Sequence, residues 1–195
     1  MKIGIIRVLS IEDEENLNQH GNIIERISGV SCITRCIEEQ TYGIYNVKTE
    51  KEAIPKIVNL AKKMVVEDNV SAIIISCAAD PGLDEVRNKI SVPVIGAGES
   101  GALVARSLSN QIGVLTITDE IPTTMKTVLN NSVYSIKPKN VQNVIDLYKP
   151  ENLNDCFIAV QQLLDKGADV ILLACTGFST LGFRQKLRDK MNINV

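Results

Sequence analysis

Five cysteines, at positions 32, 36, 77, 156 and 175, are the side chains of widest chemical reach in this sequence, and two of them stand apart by where they fall. Cys77 closes the apolar run 72–76 and Cys175 closes the run 170–174. Each is followed by small or polar residues, Ala78 and Ala79 after the first, Thr176 and Gly177 after the second. A thiol with a pKa around 8.5 is mostly protonated at neutral pH, so a pair placed near polarising groups can hold one thiolate and one thiol. Two such groups flanking a carbon acid have a specific use. One removes a proton, the other delivers a proton to the opposite face, and the centre inverts; the roles exchange in the reverse direction. A free cysteine also packs as a small hydrophobe, and that alternative holds for either cysteine taken alone. Equivalent placement is what favours chemistry for the pair. Cys32, Cys36 and Cys156 have no such placement and read as core or incidental residues.

The elements that must position the pair come from periodicity. Apolar runs alternate with helical patterns, which marks an α/β protein with parallel sheets. A strand over 2–8 leads to a helix over 14–28, a second strand over 31–37, and a helix over 52–67. The apolar residues Ile54, Ile57, Val58, Ala61, Met64 and Val65 form one face of that helix, with Pro55 in its first turn. The third strand, 72–76, is nearly all apolar, as a strand covered on both faces should be. The order then recurs. Gln111-Ile112-Gly113-Val114-Leu115 echoes Lys2-Ile3-Gly4-Ile5-Ile6, Pro122 opens a helix with Met125, Val128 and Leu129, and Tyr134-Ser135-Ile136 matches the second strand. A helix after Pro150 carries Leu153, Phe157, Val160, Leu163 and Leu164, and the run ending at Cys175 matches the run ending at Cys77. The chain reads as a duplicated α/β half, with a first lobe over 1–97, a second over 98–195, and a crossover over 94–108. Ligands of such sheets bind beyond the carboxyl ends of the strands, where both cysteines sit, each leading toward a helix N-terminus. With the halves face to face, the thiols would flank one ligand in the cleft between the lobes.

Other side chains are candidates with open alternatives. Thr116 and Thr118 follow the strand that repeats the first one, so their hydroxyls either bind a carboxylate or ring carbonyl or cap a helix around Asp119. Thr176 and Gly177 present backbone donors beside Cys175, and Ala78 and Ala79 do the same beside Cys77. Asp80, in the turn Asp80-Pro81-Gly82, either caps a helix or touches substrate. Arg7 pairs with a substrate carboxylate or with Glu12 or Asp13. Glu99 begins the crossover helix, where the dipole favours a carboxylate in any case. The single histidine, His20, is expected on the surface or in a capping role. Gly96, Gly98 and Gly101 imitate a dinucleotide fingerprint but lack a ribose-binding acid about 20 residues on, so nicotinamide binding is not expected.

Composition excludes several classes. The 195 residues carry 21 basic and 23 acidic side chains, a formal net charge of −2, which offers nothing to a nucleic acid or an anionic membrane. With no tryptophan and 4% aromatics, the chain lacks a stacking platform for single strands. No apolar run approaches the roughly 18 residues of a membrane span, and the N-terminus starts a strand rather than a signal peptide. An odd number of cysteines suits a reducing, cytoplasmic setting, and their spacing from His20 does not suit zinc, so no metal is expected. The expected partners are a small-molecule substrate and further copies of the chain in a homo-oligomer.

These residues also carry a resemblance. Ser76-Cys77-Ala78-Ala79-Asp80-Pro81-Gly82-Leu83 resembles the first catalytic motif of the aspartate/glutamate/hydantoin racemase superfamily, in the form of its hydantoin racemase branch. Ala174-Cys175-Thr176-Gly177 resembles the second motif, and residues 93–100, Pro-Val-Ile-Gly-Ala-Gly-Glu-Ser, are similar to that branch's crossover segment. The resemblance implies two pseudo-symmetric flavodoxin-like lobes with parallel sheets and a two-thiol, cofactor-independent active site in the cleft between them. It implies a racemase or epimerase of an amino acid or derivative: aspartate, glutamate or a 5-substituted hydantoin. Residues 7–13 depart from the Asn-Pro-Asn-type loop of hydantoin racemases, and Cys77-Ala78-Ala79 departs from the Cys-Asn-Thr of amino-acid racemases. The sequence stops at Asn194-Val195, where a final strand and helix of the family are expected to be missing. The rival enzymes are a maleate isomerase or an arylmalonate decarboxylase, which use a cysteine as nucleophile or single proton donor. The rival from another class is a small-molecule binding protein without turnover.

Overall fold

The computed structural model describes residues 1–130, 133–193 and 195; Asn194 lies outside the described residues. The chain forms two compact units, Met1–Ala97 and Gly98–Val195. In the first, β1 (Lys2–Arg7), α1 (Glu14–Ser28), β2 (Ser31–Cys36), α2 (Val47–Glu67), β3 (Ala72–Ser76), α3 (Leu83–Arg87) and β4 (Val94–Gly96) alternate along the chain. Its sheet runs β2-β1-β3-β4 with every pair parallel. The helix α4 (Ala97–Leu108) follows. The second unit holds β5 (Ile112–Thr116), α5 (Thr123–Leu129), β6 (Val133–Ile136), α6 (Val144–Leu147), α7 (Asn152–Asp165), β7 (Val170–Ala174), α8 (Gly177–Thr180) and α9 (Phe183–Met191). Its parallel sheet runs β6-β5-β7. The strand order β2-β1-β3 is thus repeated as β6-β5-β7, and the strands ahead of the two cysteines, β3 and β7, hold the same place beside their middle strands.

Local chemistry sets the helix ends. Asp13 caps α1 by accepting from the Asn16 N–H at 2.8 Å, Glu14 and Glu15 lie in its first turn, and Gly29 ends it in the left-handed conformation at φ 70°. The second helix begins at Val47 rather than at 52, because Asn46 and Thr49 form a reciprocal capping box. Pro55 therefore lies inside α2, not in its first turn. The one-turn α6 is an element that periodicity does not announce. It is capped by Asn143, and Asp146 ties it down by accepting from the Gln142 N–H and the Lys149 ammonium.

Each core gathers where a long helix presses on the sheet. In the first unit Ile57, Ala61 and Met64 of α2 bury against Ile6, Ile73 and Ile75; in the second, Cys156, Ala159, Val160 and Leu163 of α7 bury against Leu115 and Ile171. Phe178 and Phe183 close the second core with ring centroids 5.2 Å apart. The middle strand of each lobe carries a glycine under its helix. A Cβ on Gly4 would lie 2.7 Å from Ile73 Cδ1 and 3.0 Å from Met64 Cε; one on Gly113 would lie 2.9 Å from Ala168 Cβ and 3.0 Å from Leu163 Cβ. The missing side chain is what lets the helix come down onto the sheet.

The two glycines differ in what would have to move. Gly4 faces the flexible ends of side chains, whereas Gly113 faces Cβ atoms fixed to their backbones. Gly113→Ala is expected to cost about 1–3 kcal/mol of stability, by the usual scale of overpacking, and Gly4→Ala less. Urea denaturation of the two variants checks this; equal losses would contradict the reading.

Candidate active site

Both cysteines leave their strands into the same kind of turn. The Cys77 carbonyl accepts from the Asp80 N–H at 3.1 Å, and the Cys175 carbonyl accepts from the Phe178 N–H at 3.2 Å. Each is therefore the first residue of an i→i+3 turn, with Ala78 and Ala79 at the centre of one and Thr176 and Gly177 at the centre of the other. Among the described residues, the N–H groups of Ala78 and Ala79 donate to no acceptor. Cys77 is half-buried at the edge of the first core, and Cys175 is buried in the second. The turns then diverge. Thr176 immediately precedes the single-turn α8, whereas five residues separate Cys77 from α3. Cys77 reaches α3 through a turn: Asp80 takes a left-handed conformation at φ 51°, and Gly82, at φ 68°, begins the helix. Gly182, at φ 59°, begins α9 in the same way.

Asp80 is no cap. Its carboxylate is buried against Gly96, where a Cβ would lie 2.6 Å from Asp80 Cγ, and no side chain caps α3. Gly96 therefore answers to Asp80, and Gly101 to Leu172 Cδ1, which would lie 3.3 Å from an added Cβ. Two glycines of the pattern, Gly96 and Gly101, are thus accounted for by packing. Gly177 is similarly held: a Cβ there would meet Val144 Cγ2 at 2.9 Å and Cys175 Sγ at 3.4 Å, so the bare backbone gives the sulfur its room beside α6.

Thr116 and Thr118 form a local loop of hydrogen bonds. Thr118 Oγ1 donates to the Glu120 carbonyl at 2.6 Å, which commits its proton. The Thr116 hydroxyl is then the donor in the 2.8 Å bond between the two, and it accepts from the Thr118 N–H at 3.1 Å. Both hydroxyl protons are used, so what the pair offers a ligand is acceptor capacity.

Burial, with the charge of Asp155 and the neighbouring Cys175 adding to it, pushes the Cys156 thiol up to about 12. Burial and then Glu25 raise Cys32, and Cys36 Sγ accepts from the Ile11 N–H at 3.4 Å. Among the described residues no three His, Cys, Asp or Glu side chains gather as a metal-holding group, and no helix is long and apolar enough to cross a membrane.

His20 overturns its expected surface or capping role. It lies buried in mid-helix, with Nδ1 2.7 Å from Ser76 Oγ, one residue before Cys77. Arg7, expected near acidic side chains or a substrate carboxylate, donates from Nη1 to the carbonyls of Asn16 and Leu17 at 3.1 and 3.2 Å. The spacing of Leu17, His20, Gly21 and Ile24 at i, i+3, i+4 and i+7 is the signal that puts His20 on the inner face of α1.

Residues 30–195 match the sequence model of the family described as Asp/Glu/Hydantoin racemase. The chain belongs to that family. Among its racemase relatives, a hydantoin racemase of Pseudomonas sp. (strain NS671) is 26% identical over 155 residues, which are 73% of this chain and 59% of that protein. The chain spans less than three fifths of the length of the curated relatives it matches. The fold is shared with an allantoin racemase from Klebsiella pneumoniae, at TM-score 0.82 and 19% identity over 100% of this chain and 81% of that one. A glutamate racemase from Bacillus anthracis shares it at TM-score 0.68 and 18% identity, over 98% of this chain and 74% of that one. The α/β racemase architecture, parallel in both lobes, is thereby established.

Burial, and then the charge of Arg7, lowers the His20 pKa from 6.5 to about 3. A histidine depressed in the folded state takes its proton first in the unfolded chain, so stability is intact above pH 6.5 and is lost as pH falls toward 3. The stability of the wild type relative to His20→Gln is expected to be flat above pH 6.5 and to decline below it, by at most about 1.4 kcal/mol per pH unit. Urea titrations of both proteins from pH 8 to pH 4 check this; a constant difference throughout would contradict it.

Proposed function

We propose that the protein is a cofactor-independent racemase of 5-substituted hydantoins, with Cys77 and Cys175 as its acid/base pair. The observation that carries the reading is the repetition of one thiol, at one strand end, ahead of one kind of turn, in both copies of a duplicated unit. A thiolate takes the proton from C5 of the ring, and the C–H electron pair moves onto the adjacent carbonyl as an enolate. The thiol of the other cysteine gives its proton to the opposite face of C5 as the enolate collapses. The product is the other enantiomer, and the two sulfurs have exchanged protonation states, ready for the reverse reaction.

The residues around the thiols support a neutral ring over a free amino acid. An α-amino acid brings a carboxylate and an ammonium, which require charged partners when taken out of water. Ala78, Ala79, Thr176 and Gly177 bring no side-chain charge. The N–H groups of Ala78 and Ala79 suit the oxygen on which enolate charge develops, and the acceptor capacity of Thr116 and Thr118 suits a ring N–H. The naming of its sequence relatives as hydantoin racemases agrees with this preference.

The test follows the optical activity of enantiopure 5-substituted hydantoins, allantoin, aspartate and glutamate, with reduced protein. The hydantoins should racemise, and Cys77→Ser and Cys175→Ser should each slow the reaction by roughly 100-fold or more, the usual contribution of a positioned acid or base. Racemisation of the amino acids alone would overturn the substrate. Full activity in either cysteine variant would overturn the pair.

A further inference from the structure

Beneath the strand end that carries Cys77 lies a group of three buried polar side chains, one from each of three elements: Arg7 from β1, His20 from α1 and Ser76 from β3. Arg7 and Ser76 are register partners on neighbouring parallel strands, so their side chains leave the same face of the sheet. Cys77, next along the chain, packs with the core on the other face. The helix α1 covers the polar face and sets His20 Nδ1 2.7 Å from Ser76 Oγ. Two contacts hold the helix there. Arg7 grips the carbonyls of Asn16 and Leu17, and Gly21 lets α1 approach so closely that an added Cβ would lie 2.5 Å from Thr34 Oγ1.

A leucine at position 20 would satisfy the packing of a helix on a sheet without the desolvation of an imidazole, which is tolerated only where its nitrogens find partners. The polar contact falls on the last residue before the thiol, at the point where the chain must stop being a strand and begin a turn. We propose that His20 is a positioning residue for Cys77: its hydrogen bond to Ser76 fixes the end of β3, and with it the direction from which the thiol is presented. The functional consequence rests on Cys77 being an acid/base group, but the positioning itself is read from the thiol without turnover. His20 does not touch substrate and takes no proton from it.

The experiment is site-resolved alkylation of the whole, reduced chain by iodoacetamide, with Cys77 and Cys175 followed separately by mass spectrometry from pH 6 to pH 10. Loss of a buried hydrogen bond, worth about 1 kcal/mol, is expected to free the strand end and speed Cys77 alkylation roughly fivefold in His20→Phe, with Cys175 unchanged. His20→Asn, whose side-chain amide places a nitrogen near the Nδ1 position, should return the Cys77 rate toward that of the wild type. Ser76→Ala removes only the hydroxyl and gives the same result as His20→Phe where the larger change impairs folding. In a racemisation assay His20→Phe and Ser76→Ala should lower kcat and leave KM nearly unchanged, with His20→Asn close to the wild type. An unchanged Cys77 rate in folded His20→Phe and Ser76→Ala, or an equal rise at both cysteines, would overturn the proposal. Failure of the acid/base reading is separate: racemisation would then survive Cys77→Ser, with the alkylation pattern as predicted.

Discussion

The structure depends on how closely a helix can lie against the middle strand of each sheet. Gly4 and Gly113 remove the side chain that would hold α2 and α7 away, and the cores of the two lobes form in the space so closed. Once those helices are seated, β3 and β7 are pinned beside the middle strands along their whole length, in registers that run Arg7 against Ser76 and Thr116 against Ala174. The carboxyl ends of β3 and β7 are then fixed points. A cysteine placed one residue beyond each is carried at a defined position by that packing, which is how a rigid scaffold holds a small reactive group.

Past these strand ends the two copies differ. Beyond Cys175, Thr176 and Gly177 pass straight into a helical turn, walled by Val144 and Leu147 of α6. Beyond Cys77, the chain first makes the left-handed step at Asp80, whose carboxylate fills the space over Gly96. On the face away from the Cys77 thiol the first lobe adds the polar group of Arg7, His20 and Ser76 at the strand end, while both thiols pack against apolar cores. The duplication therefore keeps the strand-end geometry and the turn, while the support at each strand end is individual. Two groups that exchange acid and base roles need equivalent access to a carbon, not identical surroundings.

Much of this is legible in the sequence. The near-continuous apolar runs ahead of Cys77 and Cys175 announce strands covered on both faces, and the recurrence of Ile-Gly in β1 and β5 announces the duplication. The turn residues Ala78, Ala79, Thr176 and Gly177 are adjacent in sequence to the thiols and so come with them. The illegible features depend on contacts between distant residues or on elements too short to show a pattern. A four-residue helix such as α6 has no visible period, and α2 begins where Asn46 and Thr49 cap each other, ahead of the apolar stripe. The burial of His20 escapes a reading by residue type, which sends a polar side chain to the surface, although its place among Leu17, Gly21 and Ile24 puts it on the inner face. The internal bonding of Thr116 to Thr118 and the use of Asp80 to fill the space over Gly96 need coordinates, since no spacing rule distinguishes them from ligand-binding or capping residues.

The central claim is that two thiols, one from each repeat, serve one carbon. Racemisation in deuterated water tests it most directly, with an enantiopure 5-substituted hydantoin sampled at low conversion and the C5 proton followed by NMR in both enantiomers. A two-thiol enzyme delivers solvent deuterium only from the second sulfur. The product should therefore carry deuterium at C5 while the recovered substrate keeps its proton. Deuterium appearing equally in recovered substrate and product would mean that a single group removes and returns the proton, and would contradict the account.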